Sequence, residues 1–212
     1  MTKCVIFCAA EFDSLAQPLE QEDLIIAADG GLRHLQRLGI RPDVILGDFD
    51  SLGYIPEGAN VFPVEKDDTD AMLAIRHGLK LGCRQFLLYG GMGGSRPDHT
   101  IANLQSLQYL AEHGARGYLV GKSHLITVAK EETVVFPSSA EGVLSVFCMG
   151  SDAEGVTLTG LKYPLTGGTL TSSFPLGASN HFTGQSAAVT VKSGCLLLLW
   201  DRKNGFPRRT PL

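Results

Sequence analysis

The 212-residue chain is short of several things, and each shortage removes a class of protein. It has no run of like charges, and its formal charge is −4, from 18 Lys and Arg against 22 Asp and Glu. The basic footprint of a nucleic-acid or membrane-surface module is therefore missing. The longest apolar runs, such as Val5 to Ala10 and Cys195 to Trp200, are of strand length, far below the roughly 20 residues of a membrane-spanning helix. No Cys-x-x-Cys pair occurs, and the five cysteines (Cys4, Cys8, Cys83, Cys148, Cys195) are odd in number and scattered. Reduced core thiols are expected, rather than disulfides or a zinc site. The lone tryptophan, Trp200, sits in an apolar strand-like run and is expected in or beside the core. No signal-peptide pattern precedes the first apolar run, so the expectation is a cytoplasmic protein.

Glycine, by contrast, is abundant: 25 of 212 residues, with pairs at Gly30-Gly31, Gly90-Gly91, Gly93-Gly94 and Gly167-Gly168, against a typical ~7%. Tight turns and close backbone approaches follow. Hydrophobic residues at 44% and charged residues at 19% are those of a globular chain.

Up to about Val120, strand-like and helix-like stretches alternate. Cys4 to Ala9, Leu24 to Ala28, Val44 to Leu46 and Phe86 to Tyr89 read as strands. Helical spacing appears over Gly31 to Leu38, Asp67 to Leu81 and about Asp98 to His113. That alternation predicts an α/β domain with a mainly parallel sheet. Beyond it the helical period vanishes. Seven short stretches (Leu125–Val128, Thr133–Phe136, Val143–Phe147, Gly155–Leu161, Thr169–Ser173, Ala187–Val191, Cys195–Trp200) recur about every ten residues between Gly, Pro, Ser and Asn. They predict an all-β antiparallel sandwich or barrel. The expected domains are residues 1–122 and 123–212, with the boundary near Gly121 to His124.

Polar chemistry gathers at the ends of the α/β strands. Val44 to Leu46 runs into Gly47-Asp48-Phe49-Asp50-Ser51; in extended chain Asp48 and Asp50 share a side about 6–7 Å apart, a span suited to hard cations. Lys66-Asp67-Asp68-Thr69-Asp70 opens a helix, where Asp and Thr also serve as caps. Gly90-Gly91-Met92-Gly93-Gly94-Ser95-Arg96-Pro97-Asp98-His99 joins a strand to a helix. It offers backbone amides and Arg96 to an anion, while matching neither the Walker A nor the dinucleotide glycine pattern. Ala28-Asp29-Gly30-Gly31 repeats the theme. Such turns converge on one edge of a parallel sheet, and acidic residues with one Arg and one Lys describe a Mg²⁺-nucleotide site. On residues alone, this suits another Asp-x-Asp phosphoryl- or glycosyl-transferring enzyme, or a non-enzymatic nucleotide-binding module, as well as any particular kinase.

The four motifs, in this order and spacing and with Asn103, resemble those of thiamine pyrophosphokinases. So do Gly160-Leu161-Lys162-Tyr163-Pro164-Leu165, Ser179-Asn180 and the closing Gly194-x-Leu196 strand. The resemblance implies transfer of the pyrophosphoryl group of ATP to the hydroxyl of thiamine, giving thiamine diphosphate and AMP. It also implies a homodimer, with ATP on the α/β domain and thiamine in a cleft where the β domain of one subunit faces the other. Carried over by motif position, Asp48, Asp50, Asp70 and Asp98 surround Mg²⁺ and the phosphates, the first three as metal ligands. Asp29, Gly30, Lys66, Asp67, Thr69, Arg96 and His99 lie on the nucleotide side, and Ser179 and Asn180 on the thiamine side. Asp70 or Asp48 is the expected proton acceptor. His181 stands where an acidic residue is common in the family, which places a cation beside a cationic substrate.

Overall fold

β1 (Lys3–Phe7) is buried along its whole length, as a run apolar on both faces must be when it lies inside a parallel sheet. The computed structural model describes residues 2–49, 53–61 and 68–212, and these divide into two compact units, Met1–Lys122 and Ser123–Leu212. In the first, β1 is followed by β2 (Leu24–Ala28), a 3-10 turn (Asp29–Gly31), α1 (Leu32–Leu38), β3 (Val44–Gly47) and β4 (Asn60–Val61). Then come α2 (Asp70–Lys80), β5 (Gln85–Tyr89), α3 (Pro97–Glu112) and β6 (Arg116–Val120). α2 starts later than its spacing predicts because Thr69 caps it, the Oγ1 accepting from Met72 N at 3.2 Å.

The strand order is β6-β5-β1-β2-β3-β4, with parallel pairing throughout. From β1 the chain winds outward through β2, β3 and β4, then returns to place β5 on the other side of β1. The loops leaving β1 and β5 therefore diverge at the carboxyl edge. Such a switch in direction opens the crevice where open α/β sheets bind ligands.

The second unit contains β7 (His124–Phe136), β8 (Val143–Thr159), β9 (Leu165–Leu170), β10 (Asn180–His181), β11 (Ala187–Asp201) and β12 (Arg208–Pro211). All pairings are antiparallel, in the order β10-β8-β11-β7, with β9 also on β8 and β12 on β7. Six of the seven expected short strands prove to be halves of three long ones, β7, β8 and β11. The breaks between the halves are bulges, not chain reversals. Glu131 (φ 49°), Gly150 (φ 77°) and Gly194 (φ 82°) bend the strands without reversing them, and the β11 ladders slip register between Val191 and Cys195.

The bends fold the sheet onto itself. Trp200 pairs with Leu125 across the ladder, yet its ring lies 5.3 Å from that of Phe136, which a straight strand would carry about 36 Å away. Trp200 is fully buried, as expected, and its Nε1 donates to Gly205 O at 2.9 Å. At the bend of β7, the buried Arg209 of β12 donates to Thr127 Oγ1 (2.9 Å) and Val128 O (2.7 Å) on one side. On the other side it donates to Glu132 through Nε–Oε2 (3.0 Å) and Nη2–Oε1.

Candidate active site

The crevice of the first unit encloses about 640 Å³. The turn after β1 (Cys8–Glu11), the ends of β2 and β3, the start of α2 and the glycine loop after β5 line it.

Three carboxylates meet in it. Asp29, Asp48 and Asp70 each offer an oxygen, and these oxygens all lie within 4.8 Å of one another. Each arrives from a different element. Asp29 follows β2 in the left-handed region (φ 48°), which Asp tolerates better than most residues; its Oδ1 is shielded from solvent. Asp48 follows the neighbouring parallel strand β3, and Asp70 opens α2, where the helix dipole favours negative charge. Gly47 lets the first two approach. It lies at φ 150°, and a Cβ there would stand 3.0 Å from Asp29 Cα. Phe49, held at φ 60° with its ring 2% exposed, anchors the turn behind Asp48. Left-handed backbone on a bulky residue costs on the order of 1–3 kcal/mol, and such strain concentrates at functional sites.

Three carboxylates this close concentrate negative charge, which favours a cation between them. The Cys8 thiol in the same crevice is neutral, pushed up to about 12 by burial and secondarily by Asp70. Opposite, Gly90 turns the chain at φ 62°, where a Cβ would strike Cys8 O at 2.3 Å. The buried Asn103 holds the next turn, its Nδ2 donating to Gly91 O at 2.7 Å. Arg96, His99 and Thr69 line the crevice, while Gly30 sits in the turn beside Asp29.

Asp98 is placed elsewhere. Its carboxylate receives Arg96 Nε at 3.0 Å and Nη2 at 2.7 Å, and that guanidinium holds it down to about 2. Asp98 is thus the partner of Arg96 and stands apart from the acidic cluster. Asp68 turns outward to Arg76 at 2.5 Å. Asp50, Lys66 and Asp67 lie outside the described residues. Sequence reasoning put Asp29 on the nucleotide side and missed that it completes a carboxylate triad. It passed over Cys8 and Glu11 as well; their signal was their position at the carboxyl end of a buried strand.

In the second unit, Asn180 is buried and its amide is engaged: Oδ1 accepts from Tyr163 N and His181 N, both at 2.9 Å, and Nδ2 donates to Tyr163 O at 2.7 Å. It ties the 160–165 loop to β10. Ser179 is exposed at φ 57°, and its carbonyl accepts from His181 Nδ1 at 3.0 Å.

Two family models match in succession: "Thiamin pyrophosphokinase, catalytic domain" over residues 15–119 and "Thiamin pyrophosphokinase, vitamin B1 binding domain" over residues 123–197. The chain belongs to the thiamine pyrophosphokinase family. Among relatives of that family, the thiamine pyrophosphokinase of Bacillus subtilis is 28% identical over 189 residues, spanning 85% of this chain and 88% of its own. Thiamine pyrophosphokinase crystal structures share the fold. That from Bacillus subtilis has a TM-score of 0.78 at 24% identity, over 94% of this chain and 98% of its own. That from Geobacillus thermodenitrificans has 0.75 at 25%, over 94% and 96%. The Candida albicans protein keeps a TM-score of 0.73 at 16% identity, over 93% and 88%. Both family models and the Bacillus subtilis relative point to the thiamine pyrophosphokinase activity, with ATP as co-substrate, that the resemblance implies.

Proposed function

We propose that this chain transfers the pyrophosphoryl group of ATP to thiamine at the Asp29–Asp48–Asp70 cluster, with residues 1–122 as the ATP-binding catalytic domain and residues 123–212 as the thiamine-binding domain. The observation that carries the reading is the convergence of three carboxylates from three elements at the topological switch point, facing a glycine loop that bears Arg96.

The donor set fits Mg²⁺. Hard oxygens spaced within 4.8 Å suit an ion that holds six oxygens at about 2.0–2.1 Å and keeps several waters. Asp29, Asp48 and Asp70 would hold it, and Asp50 is the fourth candidate. Held there, Mg²⁺ would supply neutralisation of phosphate charge and electron withdrawal from the reacting phosphorus. The residues do the rest. The glycine loop and Arg96 orient the phosphates, and Asp98 fixes the guanidinium. Asp48 or Asp70 accepts the proton of the thiamine hydroxyl as its oxygen attacks the β-phosphorus. AMP leaves. Positioning and charge neutralisation supply most of the acceleration.

Incubation with ATP, Mg²⁺ and thiamine is expected to yield AMP and thiamine diphosphate, and neither when thiamine is omitted. ADP with thiamine monophosphate, or no thiamine-dependent product, would overturn the reading.

On the thiamine side, Asn180 acts by holding the 160–165 loop to β10. Asn180→Ala leaves the Tyr163 and His181 backbone groups without their partner, each costing about 1–3 kcal/mol where buried. The expected result is a KM for thiamine raised about tenfold, with the KM for ATP unchanged, in steady-state assays. The proposed active form is a cytoplasmic homodimer. This rests on the family resemblance, to which the structure adds that no helix among the described residues is long and apolar enough to cross a membrane. Sedimentation of an active monomer would overturn the dimer. The doubled-over second unit is read as a sandwich.

A further inference from the structure

Beside the acidic crevice lies a second depression, lined by Ala9, Gly30, Arg33, His34, Gln36 and Arg37. The two adjoin at Ala9, which lines both, and Gly30 of the second directly follows Asp29 of the first. Their charges are opposite. Arg33 and Arg37 stand four residues apart on α1 and so share a face.

Between them in sequence, His34 is 8% exposed. Its Nε2 donates to Ala10 O at 2.8 Å, which leaves Nδ1 as an acceptor, and Arg37 Nη2 donates to it. Burial lowers the basicity of the ring, so the imidazole stays neutral and can keep that bond. A buried neutral histidine thus holds an arginine at the rim of the site. A guanidinium has five N–H donors in a rigid fork, suited to phosphate.

The chemistry of pyrophosphoryl transfer leaves a place for such a cation. The thiamine oxygen bonds to the β-phosphorus, and the bond from that phosphorus to the α-phosphate oxygen breaks. AMP leaves with the electron pair, and the hydroxyl proton passes to a carboxylate of the cluster. The γ-phosphate stays bonded to the β-phosphorus throughout and becomes the terminal phosphate of the product. We propose that Arg33 and Arg37 form a subsite for the terminal phosphate of a polyphosphate anion, whether the γ-phosphate of bound ATP or the end of free pyrophosphate; in its ATP form this rests on the function proposed above. Because that phosphate is anionic before, during and after transfer, the subsite binds ground state and transition state alike, and acts on KM more than on kcat.

The test is the double variant Arg33→Gln/Arg37→Gln of the full chain, whose substitutions lie on exposed positions. Steady-state kinetics should show the KM for ATP raised at least tenfold, kcat within about threefold and inhibition by AMP unchanged, since AMP lacks the terminal phosphates. Calorimetric titration with pyrophosphate in EDTA should show binding by the parent chain weakened at least tenfold in the variant. A change in the ATP arm alone assigns the subsite to bound nucleotide, and a change in the pyrophosphate arm alone assigns it to the free anion. Unchanged ATP kinetics together with unchanged pyrophosphate binding would overturn it. If the parent chain forms no thiamine-dependent AMP, the functional reading fails, and pyrophosphate titration alone then decides the subsite.

Discussion

Asp48→Asn is expected to lower kcat for thiamine-dependent AMP formation about 10³-fold while leaving the melting temperature of the metal-free protein unchanged or raised. The substitution keeps the shape of the side chain and removes one of three charges whose oxygens lie within 4.8 Å. In the absence of a cation those charges repel, so neutralising one relieves the fold. In the proposed reaction, the same charge would help hold Mg²⁺, and losing such electrostatic positioning costs on the order of 10²–10³ in rate, or more where the metal itself is lost. Raising Mg²⁺ should recover part of the activity. The opposite signs of the two readouts are the check: a variant with near-parent turnover at low Mg²⁺ would remove Asp48 from the metal site. One that lost activity together with many degrees of melting temperature would make Asp48 structural.

The largest stability effect is expected at Arg209. Its guanidinium is buried and bonded to Thr127, Val128 and Glu132 on both sides of the β7 bend. Arg209→Ala removes the guanidinium from the Glu132 carboxylate, itself 6% exposed. Breaking one partner of a buried pair costs about 3–5 kcal/mol. At roughly 2–4 °C per kcal/mol for a chain of this size, the melting temperature should fall by about 10 °C, as read by calorimetry. Arg209→Met with Glu132→Met should recover most of it, because removing both charges removes the burial penalty. A single Arg209→Ala that melted within 2 °C of the parent would show that the bend holds without its clamp.

The α/β half was legible in the sequence because its signals are local. Apolar runs such as Val5 to Ala10, helical spacing over Met72, Ile75 and Leu79, and the cap at Thr69 are each set by neighbours in the chain. The site motifs were legible for a related reason, since each lies at the carboxyl end of a strand or at the start of a helix. Legibility stopped where partners are distant. That Asp29 meets Asp48 and Asp70 depends on β2 lying beside β3 and on Gly47 having no side chain. Asp98 is a different case: its partner Arg96 is only two residues away, and what the motif leaves open is the backbone at Arg96 (φ −115°, ψ 77°), just before α3, that turns the guanidinium onto it. In the β half, glycine marks a bulge as readily as a chain reversal, so β8 reads as two strands until the ladder on β11 shows it to be one.

Those three bent strands also bear on how the protein comes into being. The guanidinium and carboxylate that clamp the bend stand 77 residues apart in sequence, and the ring contact between Phe136 and Trp200 likewise spans most of the second unit. Bringing such distant segments together costs chain entropy before any contact repays it. The first unit can begin from neighbouring strand and helix pairs as the chain emerges. The second acquires its clamp only once β12 is present, so during synthesis the apolar faces of β7 and β8 precede the strand that secures their bend.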